Sequence, residues 1–141
     1  MDLEYLAEAA PKQPQQPEAA DRIKGFPSPA ADFSRLSISL DQHLIRRSAT
    51  TFFCRAKGSA MQLAGVTEGD ILIVDTSLPF TPGRIVVATL FGELVLRRLV
   101  EHNAHWWLCA ETQDNPPQAI RLNAGCCDHL WGVVAWVIHS V

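Results

Sequence analysis

Seven short stretches rich in β-branched and aromatic residues lie between Thr50 and Ile138, each cut from the next by Gly, Pro, Asn or Asp. They are TTFFCRA (50–56), ILIVD (71–75), RIVVATL (84–90), ELVLRRLV (93–100), HWWLCAE (105–111), QAIRL (118–122) and WGVVAWVI (131–138). Such residues suit a pleated, half-buried surface, so each stretch reads as a strand. Phe91-Gly92 and Glu101-His102-Asn103-Ala104 fit hairpin connections, and TQDNPP (112–117) fits a wider loop. The pattern predicts a mostly β, compact, largely antiparallel domain without internal repeats. LWGVVAWVI (130–138) is too apolar for a strand with one wet face, which places it centrally in a sheet or in a dimer interface.

With 141 residues, 48% of them hydrophobic, the chain suffices for one domain with a real core. Its first part is different. Residues 9–20, AAPKQPQQPEAA, hold three prolines, three glutamines and no large apolar side chain, so they cannot bury enough surface to offset the entropy of ordering. The preceding DLEYLAEAA (2–10) could form about two helical turns, a length that is marginal in water. The reading is a flexible Pro/Gln-rich arm over 1–24, a connecting segment over 25–48 and a β domain over 49–141. The arm has no room for a helix-turn-helix reader, and a net charge of −3 gives no basic patch, so direct sequence-specific DNA binding is not expected. Cys54, Cys109, Cys126 and Cys127 lack the spacing of a disulfide framework, and nothing resembles a signal peptide or the roughly 18 apolar residues of a membrane span. A reduced, cytoplasmic protein is the expectation.

Several side chains invite chemical readings, and ordinary structural ones stand beside them. Asp70 and Asp75 frame ILIV as paired carboxylates would, yet a Glu-Gly-Asp turn and a strand end use carboxylates as hydrogen-bond acceptors. Cys109, Cys126, Cys127 and His129 lack the Cys-x-x-Cys spacing of a zinc site, so no metal and no cofactor is expected. His102 and His105 flank a hairpin turn, and Lys57 and Arg98 read as solvated charges. Trp106, Trp107, Trp131 and Trp136 are core or dimer-seam candidates, and Phe26 and Phe33 could anchor the arm on the body.

Five blocks carry a resemblance: GFPSPAADF (25–33), SATTFFCRAKGSAM (48–61), EGDILIVD (68–75), GELVLRRL (92–99) and WGVV (131–134). In order and in spacing, over about residues 24–138, the chain resembles the UmuD branch of the UmuD/LexA family of self-cleaving SOS-response proteins. The resemblance implies a β-rich, S24-type serine peptidase fold, a homodimer, and a role as accessory subunit to the catalytic subunit of a UmuC-like, error-prone bypass polymerase. It also implies that a RecA filament on single-stranded DNA triggers self-cleavage before the glycine opening the GFPSP block, at the Lys24-Gly25 bond.

Residue by residue, the family's Gly-x-Ser-Met nucleophile motif falls on Gly58-Ser59-Ala60-Met61, framed further on by Asp70, so the serine position is Ala60. The base motif Gly-Glu-x-x-x-Lys falls on Gly92 to Arg97, so the lysine position is Arg97. A methyl group cannot attack a carbonyl. A buried lysine can lose its proton, whereas an arginine, whose pKa lies well above that of lysine, stays charged. Holding an arginine neutral near pH 7 would take about six pKa units, on the order of 8 kcal/mol. Nucleophile and base act as a unit, so losing either removes most of the rate. Ser59, one residue away, points elsewhere and reads as a turn residue. The family's small residue before the cut is Lys24 here, and the asparagine of its site loop is Thr112. The expectation is a UmuD-like protein that binds without cutting itself. Three alternatives remain open: a peptidase still active by another route, a substrate cut by an active UmuD-like protomer, and the oligomerisation half of a LexA-like or phage repressor system.

Overall fold

The computed structural model describes residues 2–9, 37–113, 118–122 and 127–141. Within them lie eight strands: β1 (Asp2–Glu8), β2 (Thr51–Lys57), β3 (Ile71–Asp75), β4 (Ile85–Leu90), β5 (Glu93–His102), β6 (His105–Cys109), β7 (Ala119–Arg121) and β8 (Cys127–Ile138). One short helix, α1 (Leu40–Leu44), and two 3-10 turns, Ser48–Thr50 and Gln62–Ala64, complete the elements. The strands form one sheet in the order β1-β2-β3-β8-β4-β5-β6-β7, every pairing antiparallel. Asp2 of β1 also pairs with Val95 of β5, so the sheet curls back toward itself. The mostly β expectation holds.

Two tight turns set the registers of β4 to β6. Leu90 pairs with Glu93 across Phe91 (φ 51) and Gly92 (φ 80), and His102 pairs with His105 across Asn103 (φ 52) and Ala104 (φ 62). Two successive positive φ values make a type I′ turn, whose twist matches that of the flanking strands. The second connection is thus two residues long, with Glu101 and His102 inside β5.

The pairing of β4 with β5 explains the unbroken apolar runs. Val86 lies opposite Arg97, Val87 opposite Leu96 and Ala88 opposite Val95, and neighbours along a strand point to opposite faces. Val87 and Leu96 enter a first buried cluster with Cys54, Met61, Leu72 and Val74. Val86, Ala88 and Val95 enter a second with Leu99, Leu108 and Val133. Both faces are buried, so alternation disappears from the sequence. β8 runs between β3 and β4 in the middle of the sheet, as its apolar character predicts, yet Trp136 and Ile138 near its end are 42% and 43% exposed.

The arm requires a correction. Within DLEYLAEAA (2–10), a stretch that could form about two helical turns, Asp2–Glu8 form β1 on the edge of β2, with Leu3 opposite Ala56 and Tyr5 opposite Cys54. Two turns of isolated helix are marginal, whereas the β2 edge offers a full ladder of backbone partners. Tyr5 also meets the rings of Phe52 and Trp131, and Leu3 packs on the first cluster. The Pro/Gln-rich stretch, Lys24, Gly25, Phe26 and Phe33 lie outside the described residues.

Candidate functional site

β2 ends at Lys57, and Gly58 (φ 84) turns the chain into the Gly-Ser-Ala-Met segment. Ser59 is exposed, and its carbonyl accepts from the Gln62 N–H at 3.1 Å, the turn work expected of it. Met61 is completely buried in the first cluster, and Ala60 packs against the same cluster. Two backbone bonds hold the turn from outside: the Glu111 N–H donates to the Ala60 carbonyl at 2.7 Å, and the Leu63 N–H donates to the Glu111 carbonyl at 2.9 Å. The loop read as lying beside the site therefore meets residue 60 through Glu111, next to Thr112. Its continuation, residues 114–117, lies outside the described residues.

Arg97 is 7% exposed, and its Nη1 donates to the Leu96 carbonyl at 2.8 Å. Opposite Val86, it is on the second-cluster face of β5, and it lines an open groove of about 480 Å³ with Leu90, Phe91, Val95, Gln118 and Ile120. Ala60 does not line that groove. The structure brings the two chain segments together, since Arg98 pairs with Cys109 two residues before Glu111. Ala60 packs on the first cluster, and Arg97 lines the groove.

Arg98 departs from the sequence reading. Instead of a solvated charge it is partly buried, with Nε 2.6 Å and Nη2 3.3 Å from the two Glu111 carboxylate oxygens and Nη1 donating to the Gly83 carbonyl at 2.9 Å. The Glu111 hydrogen bonds raise the Arg98 pKa against the opposing effect of burial. Glu111 was absent from the candidate residues, and its only sequence signal is that a carboxylate closes the apolar run HWWLCAE. Lys57 does read correctly: it is exposed, 3.7 Å from Glu4.

Asp70 and Asp75 are separate acceptors at the two ends of β3. Asp70 is 3% exposed and accepts from the Thr67 N–H at 2.9 Å and the Thr67 hydroxyl at 3.1 Å, with His139 Nδ1 at 2.6 Å. Burial pushes its carboxyl up, but these partners outweigh it and hold the group below the usual range. Asp75 takes the Ser77 N–H, the Ser77 hydroxyl and the Thr50 hydroxyl, with the same net lowering against burial. Burial also pushes the Cys54 thiol up to about 11, which makes it a core residue and no nucleophile. Among the described residues no cluster of three or more metal-ligating side chains occurs, and the side chains of Cys126, Cys127 and His129 lie outside that description. His102 and His105 flank their turn as expected, and His105 Nδ1 is 3.0 Å from Arg121. Trp131 packs on the first cluster beside Phe52, whereas Trp106 and Trp136 are more than a third exposed.

Comparison with known proteins adds the following. A family model described as Peptidase S24-like matches residues 21–137. Protein ImpA of Salmonella typhimurium is 38% identical over 125 residues, which is 88% of this chain and 83% of ImpA. Protein SamA of Salmonella typhimurium strain LT2 is 41% identical over 100 residues, 70% of this chain and 71% of SamA. Protein MucA of Escherichia coli is 38% identical over 76 residues, 54% of this chain and 52% of MucA.

Proposed function

This chain belongs to the peptidase S24-like family, among its UmuD- and LexA-type members, and we propose that it serves as a UmuD-like accessory subunit of an error-prone translesion polymerase in the SOS response, acting by binding and not by cutting itself. The observation that carries the proposal is the pair of replacements: a methyl group packed on an apolar cluster at residue 60 and a buried guanidinium at residue 97. Neither supplies a hydroxyl or a neutral amine.

The proposed partners are a second copy of this chain, the catalytic subunit of a UmuC-like polymerase and a RecA filament on single-stranded DNA, in the cytoplasm. The exposed apolar end of β8, Trp136 to Ile138, supports a homodimer, since a run of this kind favours a covered surface. The test is intact mass after incubation with an activated RecA filament, on this protein beside the revertant Ala60→Ser/Arg97→Lys. The expected result is that only the revertant loses its first 24 residues. Cutting of the parent alone in solution would overturn the loss of chemistry, cutting of the parent only beside an intact family member would make it a substrate in trans, and no cutting of either would withdraw Lys24-Gly25 as a cleavage site.

A further inference from the structure

The turn that carries Ala60 has no regular strand or long helix to hold it. It is a bend followed by the single 3-10 turn Gln62–Ala64, with Ser59, Gln62 and Leu63 exposed. Its outer support is the backbone of Glu111, just past the end of β6 at Cys109, where no further pairing of β6 with β5 fixes the chain. Ala110 before it is held by its N–H to the Gln118 carbonyl at 2.9 Å, and beyond that point the Glu111 side chain adds a further tie. The Glu111 carboxylate is tied down by Arg98, through both of its oxygens. Arg98 also reaches the Gly83 carbonyl, while the Gly83 N–H donates to the Leu99 carbonyl at 2.7 Å.

We infer that the Arg98–Glu111 pair is the positioning device of the site: it fixes the end of β6 against β5 and so sets the backbone of the residue-60 turn. The fork of a guanidinium suits the task, because two parallel donors fix a carboxylate in orientation as well as distance, which the point charge of a lysine does not do. The chain of contacts is continuous. The Arg98 side chain holds the Glu111 side chain, the Glu111 N–H holds the Ala60 carbonyl, and the Glu111 carbonyl receives the Leu63 N–H. Arg98 points to the face of β5 that carries Leu96, the first-cluster face, as its pairing opposite Ile85 requires. Of the adjacent cations, Arg98 therefore serves residue 60, while Arg97 opens on the groove across the strand.

Amide hydrogen exchange on the full chain tests this directly, with Arg98→Gln as the first variant. Exchange at the Leu63 and Glu111 amides is expected to accelerate at least tenfold, while the Leu72 and Val74 amides of β3 keep their rates. The exchanged pair Arg98→Glu/Glu111→Arg is expected to restore protection at 63 and 111. Unchanged rates at 63 and 111 would overturn the inference, and so would an equal acceleration in β3, which marks a general loss of stability. A second arm rests on the reading of Ala60 as a former nucleophile position. In the Ala60→Ser/Arg97→Lys background, Arg98→Gln is expected to slow self-cleavage at least tenfold and the exchanged pair to recover it. An Arg98→Gln revertant that cuts at full rate refutes the positioning role. A revertant that never cuts counts against the functional reading, and the exchange rates still decide the clamp.

Discussion

Replacing Gly132 by alanine tests the packing of the central strand with a single added carbon. A Cβ built there lies 2.6 Å from Val74 Cγ1, 3.4 Å from Thr76 Cγ2 and 3.5 Å from the Asp75 carbonyl oxygen. Ordinary carbon contacts sit at about 3.5–4.0 Å, so something must move by roughly 1 Å. Val74 is fully buried and β-branched, with one favoured rotamer, and β8 is bonded to β3 on one side and β4 on the other. Overpacking of this kind costs about 1–3 kcal/mol. The loss of unfolded-state freedom on going from glycine to alanine returns about 0.4–1 kcal/mol. The expected net destabilisation is about 1–2 kcal/mol, read as a lower urea midpoint at unchanged m-value and fixed protein concentration. Val74→Ala removes the obstructing methyl. Alone it should cost about 2 kcal/mol from the lost burial, but combined with Gly132→Ala the two should fall short of additivity by about 1 kcal/mol or more. A neutral Gly132→Ala, or strict additivity, would refute the close-approach argument.

Three further outcomes follow from described contacts. Asp70 has its carboxyl pKa lowered in the folded state, so its contribution is present above the unfolded carboxylate value of about 3.9 and is lost as pH falls through the lower folded value; Asp70→Asn should therefore destabilise by about 1–3 kcal/mol at pH 7 and by progressively less as pH falls below the usual carboxylate range, measured by urea melts across that range. Phe91 is 78% exposed and holds a positive φ, so Phe91→Asn should relieve about 1 kcal/mol of strain and raise Tm by a few degrees in a thermal melt. Ile138→Asp should shift the proposed dimer toward monomer in sedimentation equilibrium without loss of far-UV β signal, and an unchanged mass would move the interface elsewhere.

What could be read in advance depended on how local its cause is. β3 to β5 declare themselves because burial on both faces fills them with valine, leucine and isoleucine, as Val86 and Val87 show by entering different clusters, whereas β6 shows through its tryptophan pair. β1 does not, since LEYLAE is built of residues that suit a helix, and the free edge of β2 overrides their preference. Gly132 looks like any glycine in an apolar run until Val74 is placed beside it. The Arg98–Glu111 pair depends on the register of β5 with β6, which fixes who lies near whom thirteen residues apart. Ala60 and Arg97 were singled out through family resemblance, and periodicity alone would have passed over both.

Fold and chemistry place separate demands on these two positions. Residue 60 is half-buried against the apolar cluster that holds Met61 and Leu72, a place an alanine methyl fills without any polar group. The backbone bond from Glu111 is indifferent to the side chain there, because it uses the carbonyl of residue 60. At 97 the guanidinium keeps a positive charge in the groove and finds the Leu96 carbonyl, whereas a lysine able to act as base would have to be partly discharged by burial. The sheet, its two clusters and the clamp around Glu111 thus ask nothing of a serine or a neutral lysine. On the proposed reading, a binding protein with this fold needs neither group, and the sheet and its clusters stand without them.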